Sequence, residues 1–267
     1  MNLPVYRLSA RDVPAAMELS CAAGWNQTAE DWRALLELDP EGCLGLACDG
    51  RLVATTTLVC HDSRLAWLGM VLTHREYQRR GFARRLVEEA LALADARKIE
   101  TVKLDATDAG QHLYEILGFR EEQEIQRWVG TGAAATLSGA GDHSPIAPLD
   151  REAFGADRSR FLELLSRRVE PVGDENGFVL WRPGYRASYI GPCVARTPEA
   201  ARSLVERRLG AGEQPWYWDV FPANAAAVSL ATEMGFQAVR KLLRMVRGAS
   251  LSGDDSMVYA GAGFEIG

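Results

Sequence analysis

Between Arg75 and Leu86 the chain sets five arginines (Arg75, Arg79, Arg80, Arg84 and Arg85) against one glutamate, Glu76, around a single glycine, Gly81. The whole chain is acidic, with formal net charge −6, so this +4 segment leaves −10 for the remainder. Phe82, Leu86, Ala90 and Leu93 lie at helical spacing and predict a helix that begins directly after the glycine. The N–H groups of a first helical turn lack intrahelical partners, and the helix dipole adds about half a positive charge there. Gly81 allows close backbone approach, and Arg79, Arg80 and Arg84 can stand at the edges as counter-charge. The chemistry this suits is the holding of a phosphate. A solvated arginine face around an ordinary turn is the competing reading. No G-x-x-x-x-G-K-[ST] occurs, which excludes a Walker loop, and one glycine does not make a dinucleotide-binding fingerprint.

The elements that position this loop alternate. "VYRLS" is strand-like, Ser9 can cap a helix that Gly24 ends, and Thr28 can cap a second over "AEDWRALLEL" with Asp39-Pro40 as its exit. Three extended runs follow, "CLGLACDG", "RLVATTTLVCHD" and "RLAWLGMVLT", the first two joined at the hairpin signal Asp49-Gly50. After the helix come the strand "IETVKLDAT", the short helix "AGQHLYEIL" closed by Gly118, and the strand "FREEQEIQRWV". The predicted order is β, α, α, three strands, α, β, α, β. Residues 130–149, Gly-rich and with small side chains, read as a linker, and one helix is expected over "DREAFGADRSRFLELLSRR" beyond it.

The second half then repeats the end of the first. Leu68-Gly69 falls on Ile190-Gly191 at an offset of 122, Arg84 on Arg202 at 118, and Gly118-Phe119 on Gly235-Phe236 at 117. Self-similarity of this kind indicates two copies of one domain. At 267 residues the length suits two domains, and 47% apolar with 25% charged residues is the composition of a globular protein. No apolar run reaches the roughly 18 residues that cross a bilayer, and the N-terminus lacks a signal-peptide pattern, so a cytoplasmic, membrane-free protein is expected. Five scattered cysteines without a C-x-x-C pair argue against disulfides and zinc. Without a broad basic face, a nucleic-acid partner is not expected.

"QRRGFA" (Gln78 to Ala83) fits the Q/R-x-x-G-x-G/A signature of the GNAT-superfamily N-acetyltransferases, and "TDAGQHLYEILGF" is similar to that family's later N-x-x-A-x-x-L-Y-x-x-x-G-F helix. The chain resembles the bacterial tandem GNAT proteins. The resemblance implies an α/β fold, a mixed, mostly antiparallel sheet flanked by helices, with residues 1–129 as the catalytic domain and 150–267 as a second, smaller, degenerate copy. It implies acetyl-CoA as co-substrate. The pyrophosphate would be held by the backbone of Arg79, Arg80, Gly81, Phe82, Ala83 and Arg84, and the pantetheine arm by Val71, Leu72 and Thr73. Tyr114 stands where the family's tyrosine protonates the departing thiolate, with a core aromatic as the alternative. Thr107 replaces the family's asparagine, and Gly110 its alanine, which leaves a cofactor contact at Thr107 open.

In the second copy Ala231 replaces the tyrosine and Pro198-Glu199 replaces the glycine loop, so that copy is read as non-catalytic, completing the acceptor pocket or only stabilising its neighbour. Family members shape the acceptor site between the first two helices, which points to Trp25 and Asn26, with a helix-end staple and a cap as the alternatives. His61, Asp62 and His74 near strand ends could supply a base, but none is assigned. Asp150, Asp157 and Arg158 read as a solvated helix face, with a reach into the pocket, if the second domain folds back, as the alternative. The expected function is direct acetyl transfer to a primary amine of a small molecule; protein acetylation and a ligand-sensing acyl-CoA-binding protein are the alternatives.

Overall fold

The computed structural model describes residues 3–131, 146–209, 215–251 and 253–267. The first half runs β1 (Val5–Arg7), α1 (Val13–Ala22), α2 (Ala29–Leu38), β2 (Cys43–Cys48), β3 (Arg51–Cys60), β4 (Leu65–Thr73), α3 (Phe82–Ala96), β5 (Thr101–Ala106), α4 (Asp108–Ile116) and β6 (Arg120–Thr131). This is the predicted order. Local chemistry sets its punctuation: Ser9 and Thr28 each close a capping box with an aspartate three residues on, and Asp49 and Gly50 take φ of 50° and 77° to turn the β2–β3 hairpin.

The second half runs α5 (Ile146–Phe154), α6 (Ser159–Ser166), β7 (Val172–Asp174), β8 (Gly177–Arg182), β9 (Ser188–Ala195), α7 (Pro198–Leu209), β10 (Pro215–Val220), α8 (Ala225–Glu233), β11 (Gln237–Gly248) and β12 (Val258–Ala260). It repeats the first half without its opening strand and adds β12. Two expectations change. The single helix after the linker is two, because Gly155 at φ 86° turns the chain between α5 and α6. The linker reading over 130–149 is also too wide, since β6 continues to Thr131 and α5 starts at Ile146; the remainder lies outside the described residues.

All the strands join one mixed sheet, in the order β1-β2-β3-β4-β5-β11-β6-β10-β9-β8-β7, with β12 paired to β9. The two halves have exchanged their long last strands. β11 pairs with β5, where β6 would complete the first half, and β6 pairs with β10, where β11 would complete the second. The exchange is reciprocal in register: Ala106 faces Leu243 and Val220 faces Gln126, equivalent positions of the two copies. It is also reciprocal in charge. Arg244 on β11 donates twice to the Asp105 carboxylate on β5, at 2.9 and 3.0 Å, and Arg127 on β6 donates twice to Asp219 on β10, at 2.8 and 2.7 Å. All four side chains are buried.

On one face α1, α2, α5 and α6 share a core containing Trp32, Leu35, Phe161 and Leu165, which binds the halves together. On the other, α3 packs Leu86, Val87 and Ala90 on the first half, and α7 packs Leu204 and Val205 on the second. Among the described residues no helix is long and apolar enough to cross a membrane. All five cysteines are free thiols, and burial pushes those of Cys43 and Cys193 up to about 12.

Candidate active site

β4 and β5 run parallel and paired only from Leu65–Thr101 to Trp67–Lys103, and then diverge. From Leu68 onward the β5-facing edge of β4 has no ladder partner, so Leu68, Gly69, Met70 and Val71 line an open cleft. On its other edge β4 bulges against β3. Met70 takes φ 50°, and Thr55 Oγ1 and Thr56 Oγ1 donate to the carbonyls of Met70 and Gly69 at 2.9 and 3.2 Å. A left-handed non-glycine residue costs on the order of 1–3 kcal/mol and persists where its surroundings hold it, as the two threonines do here. Their bonds hold the carbonyls toward β3, which leaves the bulge N–H groups for the cleft.

The strand leads through a short turn at Arg75–Tyr77 to Gly81, which caps α3 at φ 81°. Arg85 N–H to Gly81 C=O, at 3.0 Å, is the first bond of that helix, so the N–H groups of Phe82, Ala83 and Arg84 have no intrahelical acceptor. Arg80 is folded back, donating to Glu76 O at 3.0 Å and lying over the Tyr77 ring, and Arg84 pairs with Glu88 at 2.8 Å on the exposed face. The arginines rim the loop.

At the inner end lies a cavity of about 300 Å³ lined by Val71, Thr107, Tyr114, Trp25 and Asn26 together. Leu72, Thr73 and the Arg79–Arg84 loop lie outside its lining, farther along the path from β4 to α3. Tyr114 is 7% exposed, edge-on to Phe119 at 5.9 Å, and its hydroxyl makes no hydrogen bond to any described residue. Burial raises its pKa well above the usual phenol range, so it is protonated at every physiological pH. Thr107 opens α4 without a side-chain cap bond. The Asn26 amide is spent on the second half: Nδ2 donates to Ala187 O at 2.8 Å, and Oδ1 accepts from the N–H of Arg186 and Ala187 at 2.6 and 3.0 Å.

The second half builds the opposite wall with Tyr217, Val239, Arg240, Leu242, Phe264 and Glu265. Residues 261–267 reach the first half because Trp67 Nε1 donates to Phe264 O at 3.0 Å and His61 bonds Ile266 O at 3.1 Å. Glu265 accepts from Gln27 Nε2 at 3.0 Å and pairs with Arg182, while its backbone packs on Gly69, where an added Cβ would lie 2.5 Å from Glu265 O. Burial raises the Glu265 pKa, with Arg182 pulling the other way. Donation by Nε2 fixes the Gln27 amide, and its Oε1 is buried with no partner. Burial likewise raises Asp105, opposed by Arg244.

Gln27, Asp105, Arg127, Tyr217, Arg240, Phe264 and Glu265 were missing from the sequence reading. Two signals could have found some of them: Asp105 and Asp219 are acids next to the last residue of their strands, "TVKLDA" and "PWYWDV", at matched repeat positions, and Glu265 is the only charge in "VYAGAGFEIG". The candidate bases stand elsewhere. His61 is driven down to about 4 by burial and the nearby Arg158, Asp62 accepts from the Arg64 and Leu65 N–H groups, and His74 caps the turn before the loop. Asp150 and Arg158 are not on a solvated face. They form a buried bidentate pair at 2.8 Å, because α5 and α6 pack them between the halves, while Asp157 is tied to exposed Arg151.

In the second half the equivalent gap is filled. β9 and β10 pair from Trp216–Ser188 to Trp218–Ile190, and past that point β12 lies against β9, with Val258 facing Val194 and Ala260 facing Cys193. Trp218 Nε1 donates to Tyr259 O at 2.7 Å and Gly261 N–H to Asp219 O at 2.8 Å. Asn224, at the motif position, caps α8 through Ala227 N–H at 3.1 Å and donates to the Ser256 and Val258 carbonyls at 2.9 and 3.1 Å. Arg202, the counterpart of Arg84, is paired with Glu206 and Glu233.

Residues 13–119 match the family described as "Acetyltransferase (GNAT) family" and residues 146–260 the "Acetyltransferase (GNAT) domain". The chain is 26% identical over 264 residues, 87% of each chain, to the uncharacterized N-acetyltransferase YitH of Bacillus subtilis strain 168. In fold it is similar to a proposed acetyltransferase from Pyrococcus horikoshii, at TM-score 0.88 and 23% identity over 100% of this chain and 96% of that one. It is also similar to a tandem GNAT protein from the clavulanic acid biosynthesis pathway, at TM-score 0.64 and 15% identity over 94% and 100%. With one family match in each half and a single sheet joining them, the chain belongs to the GNAT N-acetyltransferases and carries two GNAT domains.

Proposed function

We propose that the first GNAT domain binds acetyl-CoA in the β4–β5 cleft and transfers its acetyl group directly to a primary amine of a small molecule. The observation that carries this reading is the contrast between the two clefts: the first is open and has Tyr114 on its cavity, whereas the second is filled by β12 and has Ala231 at the tyrosine position. The loop fits a pyrophosphate through the first-turn N–H groups of Phe82, Ala83 and Arg84, with Arg79, Arg80 and Arg84 as counter-charge and Thr107 at the cleft. Leu72 and Thr73 continue the unpaired edge of β4 and suit the pantetheine arm. A wall built by the second domain makes the acceptor side a cavity of about 300 Å³, the size of a small molecule's site.

Acetyl-CoA supplies the acetyl group as an activated thioester. Glu265, its pKa raised by burial, takes a proton from the acceptor ammonium, and Gln27 Oε1 accepts a hydrogen bond from another N–H of that group. The bulge N–H groups on β4 stabilise the oxyanion that forms when the freed amine adds to the carbonyl. Tyr114 gives its proton to the departing sulfur as the C–S bond breaks, and the proton shed by the product nitrogen balances it. Trp25 forms an apolar wall, and Asn26 holds that wall to the second domain.

Thiol release from acetyl-CoA with a panel of small amines tests the reading. Tyr114→Phe is expected to lower kcat by about 10²- to 10⁴-fold with little change in the KM for acetyl-CoA. Tight CoA binding by the parent with no turnover of any amine would overturn it.

A further inference from the structure

The charges around the cavity are mostly closed on themselves. Arg127 is taken by Asp219, Arg244 takes Asp105, and Arg182 takes Glu265. Arg127 is further boxed by Tyr189, Tyr217 and Phe264 at 4.7, 5.0 and 4.0 Å from its guanidinium. Arg240 is different. It lines the cavity, exposed at one end, and has no hydrogen bond or ion pair with any described residue.

Its position is set by a β-bulge. β11 pairs Ala238 with Trp128 and then Arg240 with Arg127, leaving Val239 as the extra residue. The bulge therefore sets two arginines directly opposite each other on neighbouring strands, an arrangement that destabilises a sheet when nothing neutralises it. The other copy provides an internal control. There the equivalent bulge skips Glu122 and sets Gln123 opposite Arg244, and Gln123 Nε2 donates to Asp255 at 2.8 Å. The same backbone device thus carries a neutral, satisfied amide beside the filled gap and an unneutralised cation beside the open cavity. Partial burial and then the charge of Arg127 lower the Arg240 pKa, with the more distant Asp219, already paired to Arg127, pulling the other way.

We propose that the acceptor amine also carries a carboxylate, which Arg240 receives at the second-domain wall of the cavity. Among the described residues lining the cavity a single cation is unpaired, which balances a monoanion, and the guanidinium fork matches the two oxygens of a carboxylate. The substrate class is therefore an amino acid or a similar amine–carboxylate, with its ammonium at Glu265 and Gln27. The inference deepens the acetyl-transfer reading and rests on it for the amine, but the carboxylate seat is measurable by itself.

The test pairs kinetics with binding. With acetyl-CoA and matched acceptors, free amino acids against their methyl esters, Arg240→Ala is expected to raise KM for the acids about 10- to 100-fold while the esters change little. Arg240→Lys, which keeps the charge and loses the fork, should retain part of the preference for acids. Calorimetry with N-acetyl amino acids and their methyl esters reads the seat without turnover: the acids should bind the parent and not Arg240→Ala, and the esters should bind neither. Acid binding with no turnover would sink acetyl transfer and leave the seat standing. Equal treatment of acids and esters by the parent, a preference for amines bearing a phosphate instead, or a loss confined to acetyl-CoA in Arg240→Ala would each overturn the proposal.

Discussion

Asp219→Asn tests what holds the exchanged strands in place. Asp219 is 1% exposed and accepts two bonds from Arg127, at 2.8 and 2.7 Å. Asparagine has almost the same shape, so packing is preserved while the countercharge and one of the two accepting atoms are removed. What remains is a guanidinium between β6 and β10, enclosed by three aromatic rings, that has lost its directly paired carboxylate. Breaking one side of such a buried pair costs about 3–5 kcal/mol, a large part of the roughly 5–15 kcal/mol that holds an ordinary protein folded. At about 2–4 °C per kcal/mol for a chain of this size, Tm should fall by about 6–20 °C. Removing both charges together, as Asp219→Leu with Arg127→Met, should cost much less, because no unpaired ion is left. Urea melts of the parent, Asp219→Asn and the double variant measure this, and Asp105→Asn at the matched position should behave like Asp219→Asn. A loss below about 1 kcal/mol in Asp219→Asn, or a double variant no more stable than the single one, would refute the reasoning.

Three further outcomes follow from the site. Glu265 has a raised pKa and works as a base only when ionised, so activity should fall as pH drops through that raised value, above the usual glutamate range of about 4.3; Glu265→Gln should abolish this acid limb. In stability the sign is the reverse: the favourable contribution is present below the unfolded-state value and is lost as pH rises through the raised one, so acid-to-neutral melts of Glu265→Gln should lose that part of the decline. Gly81→Ala meets no atom within 4 Å, so only the left-handed φ of 81° penalises it, by about 1–2 kcal/mol in a melt, whereas Gly81→Glu also sets a carboxylate beside the phosphate loop and should weaken acetyl-CoA most at low salt. Asn224→Ala removes a helix cap and leaves two carbonyls of the β12 segment unbonded, an expected loss of about 2–4 kcal/mol, with faster hydrogen exchange over residues 255–260 and lower turnover, because Glu265 rides on the same segment.

Much of this fold could be read locally. Ser9 and Thr28 announce helices through aspartates three residues on, Asp49-Gly50 announces a hairpin, and Gly81 and Tyr114 lie in motifs whose spacing survives in the structure. Strand partnership could not. β6 and β11 are similar twelve-residue strands behind similar Gly-Phe turns, and nothing along either one says whether it will lie beside its own half or the other. The acceptor side was hidden for the same reason. Arg240 and Glu265 gain meaning only because the exchange and the β12 segment carry them about 130 and 200 residues along the chain to Asp105 and Gly69. Trp25 was named only through the family resemblance, and the structure puts it on the cavity lining.

The exchanged strands also set the order in which this protein can be completed. As the chain is made, β5 and β6 emerge together, and a direct pairing between them would close a loop of only about 20 residues. The final sheet instead closes β5 onto β11, from Ala106 to Leu243, across 137 residues. The longer closure costs about 2 kcal/mol more in chain entropy and is not available until β11 has been made. The first domain therefore spends its synthesis with the far edge of β5, the one away from β4, either open or paired with β6, and β11 must later take the place between them. Refolding should accordingly be slow for the chain's size, and a fragment ending after β6 should form a different sheet from the one it has here. The arginine–aspartate clamps do not choose between the two sheets: Arg127 and Arg244, like Asp105 and Asp219, hold equivalent positions of the two copies, so the clamps lock whichever pairing forms.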